Sequence, residues 1–204
     1  MKILIVSSLF FPWRLGGAEV VAESTASALF EFGHHVHVLT LSPDQDTTQD
    51  WSNGYQIRRI PLINVYSIQD MDRASTFQRV QWHIKDRWND AMRIVFASEL
   101  KTIRPDVVLL HNIAGFSISI YRELAQAAIP FVQVLHDHYF GCLYSTMYRN
   151  SKICTFQCAR CSLMRRRHLT TTRLANGVIG VSSYILSQMK SIGYFLDVPS
   201  HIIR

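Results

Sequence analysis

Histidine-containing clusters directly follow two apolar runs of the chain. His111 and Asn112 follow one run, and His136 and Asp137 follow the other. Both runs are rich in Val and Leu, as buried strands are. An imidazole exchanges a proton near neutral pH or hydrogen-bonds a substrate hydroxyl. Because ligands of open α/β sheets bind at the carboxyl ends of the strands, we expect these four residues to line one site; a purely structural role for each histidine is the alternative.

A pair of glycines, Gly16 and Gly17, lies between the first apolar run and the first helical pattern, with Glu19 in the same turn. Glycine lets a backbone approach a ligand closely, and the N–H groups at a helix start favour an anion such as phosphate. The segment has neither the G-x-G-x-x-G spacing of dinucleotide-binding loops nor the Gly-Lys-Ser/Thr of Walker loops. It predicts a substrate-binding loop, and a plain strand-to-helix turn is the alternative.

The chain has four cysteines, and all of them lie in residues 139–170, which we call the cysteine segment. They are Cys142, Cys154, Cys158 and Cys161. Four thiolates at these spacings predict a structural zinc site, and they leave no open position for a catalytic zinc. An iron–sulfur cluster, free thiols and a fortuitous disulfide are the alternatives.

The formal net charge of +6 is concentrated in one part of the sequence. Residues 138–196 contain eight Lys and Arg residues and no Asp or Glu, and Arg165, Arg166 and Arg167 form a run within them. Such a run contacts an anionic membrane, a phosphorylated substrate or nucleic acid, or it is a solvated helix face. No nucleic-acid-binding motif accompanies it. We therefore expect an anionic membrane surface or substrate as partner, and no nucleic acid.

Strand and helix patterns alternate along the whole chain. Short runs of Ile, Leu and Val predict strands, and apolar residues at helical spacing predict helices. Strands are expected at residues 2–7, 35–41, 55–60, 106–110, 130–135 and 178–181, with a further one from 201; helices are expected at 18–32, 77–100, 116–128 and 183–192. This alternation is typical of an α/β fold with a doubly wound, mainly parallel sheet. The polar segment 42–54 is expected to form turns.

The ends of the chain bear on its location and on its completeness. No apolar run reaches the ~18 residues that span a bilayer, and the apolar start lacks a small-residue cleavage site. The protein is therefore expected in the cytoplasm, with contact at most to the inner face of the membrane. The sequence ends within a strand-like run, His201–Arg204. We therefore expect residues 1–204 to be one domain of a longer protein.

An ordered set of segments resembles glycosyltransferase family 4, which has the GT-B fold. The similar segments are MKILIVS at residue 1, GGAE at 16, FGHHVHVLT at 32, RPDVVLLHN at 104, PFVQVLHD at 130 and GVIGVSS at 177. Together they extend over essentially the whole chain. The resemblance implies a Rossmann-like, acceptor-binding amino-terminal domain. The second domain of the family, which carries a basic pair and two glutamates eight residues apart, is not matched.

The resemblance also implies a reaction and roles for residues. It implies retaining transfer of a hexose from a nucleotide sugar, without a catalytic metal, in the synthesis of a cell-surface polysaccharide or glycolipid. By match, Gly16 and Gly17 lie against the donor phosphates and the acceptor, His111 orients a hydroxyl of the transferred sugar, and the His136–Asp137 pair lines the cleft. The acceptor is a sugar or a lipid-linked sugar, and the isolated chain is expected to be inactive.

A second hypothesis assigns the chain no catalysis. In it the chain is an α/β binding module whose four-cysteine zinc knob contacts protein or nucleic acid. Salt-sensitive binding to single-stranded nucleic acid, without binding to vesicles, would favour this reading.

Overall fold

The computed structural model describes residues 1–44, 46–149 and 151–203. The chain divides into two compact units, residues 1–131 and 132–204. The strands are β1 (Lys2–Ser7), β2 (His35–Ser42), β3 (Thr48–Ser52), β4 (Tyr55–Pro61), β5 (Val107–Leu110), β6 (Phe131–Leu135), β7 (Tyr148–Arg149), β8 (Lys152–Ile153), β9 (Gly177–Gly180) and β10 (Ser200–Ile202). The helices are α1 (Gly17–Glu31), α2 (Thr76–Asp86), α3 (Asp90–Ile103), α4 (Ile120–Gln126), α5 (Ala159–Thr171) and α6 (Ser183–Ser191).

The first unit is built on strands in the order β5-β1-β2-β4-β3. β5, β1, β2 and β4 run parallel to one another. β1 is buried in all but its first residue, as expected for an apolar strand covered on both faces. Ala22 and Ala26 of α1 belong to the same buried cluster as Ile5 and Val38 of the sheet. This packing fixes the loop between β1 and α1 at both of its ends.

β3 lies in the segment that was expected to form only turns. It pairs antiparallel with β4, and the hairpin turns at Asn53 and Gly54, both with positive φ. Asn-Gly is the preferred pair for such a two-residue turn because both central residues need that backbone conformation. The Asn-Gly pair therefore indicates a hairpin in the sequence itself, but β3 is polar and does not have the apolar pattern by which the other strands are predicted.

The helix predicted over residues 77–100 is two helices, α2 and α3. The break lies at Asn89, whose side-chain oxygen accepts the Met92 N–H at 3.1 Å and caps α3. The Asn89 amide also donates to the Ile63 carbonyl at 2.9 Å. An asparagine with such partners begins a helix rather than continuing one. The helix predicted from residue 116 begins later, at Ile120, because Ser117 has a φ of +69°.

The second unit has the parallel strand order β10-β9-β6, with a short antiparallel hairpin of β7 and β8. Ser182 caps α6 by accepting the Ile185 N–H at 3.3 Å, which agrees with the sequence prediction. β10 covers part of the last predicted strand, and Arg204 lies outside the described residues.

The predicted α/β class with a mainly parallel sheet is confirmed. In both units the loops that carry predicted site residues follow the carboxyl ends of parallel strands. Among the helices that the structure describes, none has both the length and the apolar character that crossing a membrane requires.

Candidate functional site

Ser8 ties together the two loops that follow β1 and β5. These strands pair in parallel register up to Val6 and Leu110. The Ser8 N–H donates to the Asn112 carbonyl at 2.7 Å, and its hydroxyl donates to the Ala114 carbonyl at 2.6 Å. The glycine loop and the His111–Asn112 loop therefore start from one fixed edge. Sequence reasoning missed Ser8, because a single serine after a strand carries no distinctive signal.

His111 and Asn112 lie at this edge. His111 is only 2% exposed, and its backbone N–H donates to the Val6 carbonyl at 2.9 Å. The Asn112 side-chain oxygen accepts the Ala114 N–H at 3.1 Å and so shapes its own turn. Contact between either side chain and a substrate stays a prediction.

The glycine pair begins α1, with Gly16 as the N-cap residue and Gly17 as the first helical residue. Neither glycine has a left-handed backbone. A Cβ added at Gly17 would meet no atom within 4 Å, and one at Gly16 would meet only a Glu19 oxygen, at 3.9 Å. The packing of the chain therefore does not require glycine at either position. The absence of side chains leaves open space at the start of α1.

Glu19 holds this turn in place. Its buried carboxylate accepts the Gly16 N–H at 2.8 Å and the Leu15 N–H at 3.4 Å. A carboxylate at the first turn also interacts favourably with the helix dipole. These contacts make Glu19 a residue that positions the glycine turn, and its direct contact with substrate stays a prediction.

Arg59 lies against the same loop and was not expected from the sequence. This buried residue of β4 donates from Nη2 to the Phe11 carbonyl at 2.7 Å. Its guanidinium carbon lies 5.0 Å from the centre of the Trp13 ring, and Asp50 of β3 pairs with the same group. Arg59 therefore fixes both the backbone and an aromatic ring of the loop, while Trp13 remains partly exposed.

His136 and Asp137 follow β6 in the second unit. Burial lowers the pKa of His136 to about 4, so its imidazole is neutral at neutral pH and has one donor and one acceptor nitrogen. The Asp137 carboxylate accepts the Tyr139 N–H at 2.8 Å. Both residues lie at the carboxyl end of their strand, as the sequence predicts. Their contact with substrate stays a prediction.

The predicted four-cysteine zinc site is not supported. Cys142, Cys154, Cys158 and Cys161 are reduced in the structure. Within residues 1–44, 46–149 and 151–203, no group of three or more His, Cys, Asp or Glu is placed to hold a metal ion. A tetrahedral site needs all four sulfurs directed at one point, and proximity along the chain does not ensure that convergence. The residues do not fit the metal.

The three arginines of the predicted basic cluster do not lie on one face of α5. Arg165 is 1% exposed, and its guanidinium carbon lies 4.3 Å from the centre of the Tyr139 ring, with Nη1 3.4 Å from Nε2 of His168. Arg166 and Arg167 are exposed. Successive residues of an α-helix point about 100° apart, so three in a row do not share one face. The prediction that Arg165 meets an anionic partner was wrong; for Arg166 and Arg167 it stays a prediction.

A cavity of about 360 Å³ opens at the other end of β5. It is lined by residues near the ends of α3 and α4, among them Lys101, Arg104 and Ala127. Ligands of α/β sheets bind beyond the carboxyl ends of the strands, and this cavity lies at the amino end. It therefore does not belong to the predicted site.

Comparison with known protein families gives an independent finding. A sequence profile of Glycosyltransferase Family 4 matches residues 15–203. The chain is also similar to a curated protein of Klebsiella pneumoniae described as an uncharacterized 42.6 kDa protein in the cps region. The two are 23% identical over 203 residues, which cover 100% of this chain and 54% of that protein. The chain thus spans about half the length of that relative.

Solved structures with a similar fold include two enzymes of carbohydrate synthesis. Sucrose-phosphate synthase from Thermosynechococcus elongatus matches with a TM-score of 0.62 and 10% identity, covering 99% of this chain and 47% of that one. The catalytic domain of starch synthase IV from Arabidopsis thaliana matches with a TM-score of 0.54 and 12% identity, covering 93% and 48%. At these identities the likeness concerns the fold alone.

Proposed function

The chain belongs to glycosyltransferase family 4, and we propose that it forms the acceptor side of an enzyme that transfers a hexose from a nucleotide sugar with retention. The acceptor is a sugar or a lipid-linked sugar, and the product is a cell-surface polysaccharide or glycolipid. The donor is held mainly by a second domain, so the isolated chain is inactive.

The observation that carries this proposal is the open space at Gly16 and Gly17. Glycine at these positions is required neither by backbone conformation nor by a close neighbour in the chain. A ligand that approaches the start of α1 would explain both residues. The N–H groups of the first helical turn suit a phosphate of the donor, and Glu19 and Arg59 keep the loop in shape for it.

In the proposed reaction, the bond between the anomeric carbon and the diphosphate oxygen breaks, and a bond from that carbon to an acceptor oxygen forms on the same face. The acceptor hydroxyl proton passes to the departing phosphate oxygen. Backbone N–H groups at the start of α1 stabilise the charge that develops on that phosphate. His111 orients a hydroxyl of the transferred sugar.

Amide hydrogen exchange of the chain with candidate ligands tests this function. Oligosaccharide and polyprenyl-phosphate-linked acceptors are expected to slow exchange in residues 8–17 and 111–115, and nucleotide sugars alone are expected to do so less. Gly17→Val should abolish the effect by filling the open space, while Ser24→Val, on the exposed part of the same helix, should not. Protection confined to other regions would contradict the proposal, and protection by nucleic acid in place of sugars would favour the binding-module hypothesis.

A membrane partner is tested separately. We expect Arg166 and Arg167 to contact an anionic surface that presents the lipid-linked acceptor. Sedimentation with vesicles containing phosphatidylglycerol should weaken in an Arg166→Ala/Arg167→Ala variant more than in an Arg73→Ala/Arg79→Ala variant, which loses the same charge elsewhere. Equal loss in both variants would indicate a net-charge effect only.

A further inference from the structure

The cavity at the amino end of β5, which we call the α3–α4 cavity, lies between two helices of the first unit. Its volume of about 360 Å³ is within the range of small-molecule pockets, which runs from roughly 300 to 1,000 Å³. Most of the residues that line it are apolar, namely Ala97, Leu100, Pro105, Ala127 and Ile129. The polar ones are Lys101, Arg104 and Glu123. A cavity of this composition suits a ligand that is mostly hydrocarbon and carries one polar group.

The wall of the cavity that follows α3 is fixed to the sheet. The Lys2 Nζ donates to the Ile103 carbonyl at 2.8 Å, and the Lys2 backbone N–H donates to the Asp106 carboxylate at 2.7 Å. Leu100 and Pro105, which line the cavity, are themselves buried. Because these contacts are made within the chain, this wall has its shape before any ligand arrives, as most small-molecule sites do.

Terminal carbonyl groups of both helices are bonded within the chain. At the end of α3 the Leu100 carbonyl accepts the Arg104 N–H at 2.8 Å, and at the end of α4 the Leu124 carbonyl accepts the Ile129 N–H at 3.0 Å. Carbonyls with such partners do not require a donor from outside. The polar groups that meet a ligand in the α3–α4 cavity are therefore mainly side chains.

The charges of these side chains favour an anion. Glu123 is paired with Arg93 of α3, and the same guanidinium bonds Asp90 at 2.8 Å. Lys101 and Arg104 are exposed, and the Arg104 Nε donates to the Lys101 carbonyl at 3.3 Å, which holds the guanidinium at the end of α3. The lining thus offers two cations and one carboxylate whose charge is offset. Arginine and lysine both bind carboxylates and phosphates.

We propose that the α3–α4 cavity binds a small amphiphile, in which a short apolar body lies between the two helices and a carboxylate or phosphate monoester head contacts Lys101 and Arg104. The site is at the amino ends of the strands, so it is separate from the carboxyl edge where sugar transfer is proposed. Binding here does not depend on that function.

Amide NMR spectra of the whole chain, titrated with octanoate, octyl phosphate, 1-octanol and inorganic phosphate, test the site. The anionic amphiphiles should shift the signals of residues 97–105 and 123–129, and inorganic phosphate should not. 1-Octanol should bind about tenfold more weakly than octanoate, because it lacks the charge. Hexanoate should also bind roughly tenfold more weakly, because it buries two methylenes fewer. Shifts with only one of the two anionic amphiphiles would support the site and identify its head group.

Filling the cavity tests its apolar part. Ala97→Phe should abolish binding of every amphiphile, whereas Ser98→Phe, at the exposed neighbouring position of α3, should not. Ala127→Phe fills the same space from the exposed end of α4 and keeps the test decisive if Ala97→Phe does not fold. A folded chain with either filling substitution that binds octanoate as the wild type does would overturn the proposal.

Removing the two cations tests the head group. Lys101→Gln/Arg104→Gln should weaken octanoate binding by about tenfold and leave 1-octanol binding unchanged. Lys85→Gln/Arg122→Gln removes the same charge from exposed positions outside the lining and should change neither. Cations at a helix end also interact favourably with the helix dipole, and the comparison of octanoate with 1-octanol separates that role from ligand binding. Equal weakening by both double variants, equal binding of 1-octanol and octanoate to the wild type, or shifts confined to other residues would overturn the proposal.

Discussion

The carboxyl edge of the first unit and the cysteine segment of the second unit handle polar groups in opposite ways. At the edge, short side chains bond to nearby backbone: Ser8 joins two loops, and Glu19 holds the glycine turn. The space next to Gly17 remains open. We propose that this surface is shaped in advance and receives a ligand from outside.

In and beside the cysteine segment, polar groups are packed against rings and against each other. The Arg165 guanidinium lies over the Tyr139 ring and is almost fully buried. The Nη1 atom of Arg165 also lies 3.4 Å from Nε2 of His168. In this segment the polar side chains are themselves part of the packing. The comparison teaches that a glycine pair and a charged run call for different interpretations. The open space at the glycines is where we propose that a ligand binds, whereas Arg165 of the charged run is part of the packing.

The largest expected effect comes from removing the buried cation. Arg165→Ala should lower the free energy of unfolding by about 3 kcal/mol, because it leaves a cavity where a large, fully buried side chain packs on an aromatic ring. Arg166→Ala, its exposed neighbour, should change that free energy by less than about 0.5 kcal/mol. Urea unfolding of both variants measures the difference. Equal effects would mean that the two arginines do not differ in burial as described.

Local patterns predicted the main strands because β1 and β5 are apolar runs and β2 alternates with the period of two that a strand has. The same reasoning located His111 and His136, which directly follow predicted strands, and Gly16, which comes shortly before a predicted helix. It failed where a residue's role depends on a partner far along the sequence. Asn89 begins α3, and its side-chain amide is held by the carbonyl of Ile63, 26 residues earlier in the chain.

Two buried arginines also have partners that the local sequence does not predict. Arg59 pairs with Asp50 and contacts the loop at Trp13, which lies 46 residues before it in the chain. The burial of Arg165 depends on Tyr139, which precedes α5 by a long loop. No periodicity within either segment encodes these partners. Only the tertiary structure distinguishes such a cation from a solvated one.

The Ser8 hydroxyl joins the two loops at the carboxyl edge of the first unit, and its removal is expected to have the next largest effect. Ser8→Ala should lower the free energy of unfolding by about 1 kcal/mol, because it leaves the partly buried Ala114 carbonyl without its side-chain donor. Exchange of the amides in residues 111–115 should accelerate, because this loop loses the Ser8 hydroxyl contact while its backbone hydrogen bonds to Val6 and Ser8 remain. Ser24→Ala, exposed on α1, serves as the control. Unchanged exchange in residues 111–115 would show that the loop is held without Ser8.

A pH dependence is expected from His136. Its pKa is about 4 in the folded protein and near 6.5 when unfolded. Between these values the unfolded chain binds more protons, so stability falls as the pH is lowered from 6.5 towards 4. His136→Gln should flatten this part of the profile. Burial also lowers the pKa values of His37 and His138, so the slope should decrease without disappearing.

The smallest effect on stability is expected at Gly17, and it sharpens the comparison most. A Cβ there meets nothing, and alanine favours a helix over glycine by about 1 kcal/mol, so Gly17→Ala should keep or slightly raise the free energy of unfolding. Gly115→Ala should lower it, because φ is +90° and the new Cβ would lie 2.8 Å from a Leu41 methyl carbon.

At Gly17, ligand binding should change although stability does not fall. If the open space at the start of α1 receives the donor phosphates or the acceptor, Gly17→Ala should weaken binding of acceptor saccharides, measured by titration, in a chain that unfolds no more easily than the wild type. Stability and binding are then separated at a single position, which a plain strand-to-helix turn does not predict. A Gly17→Ala chain that binds every saccharide as tightly as the wild type would show that the space is incidental, and the glycine pair would then be only a turn.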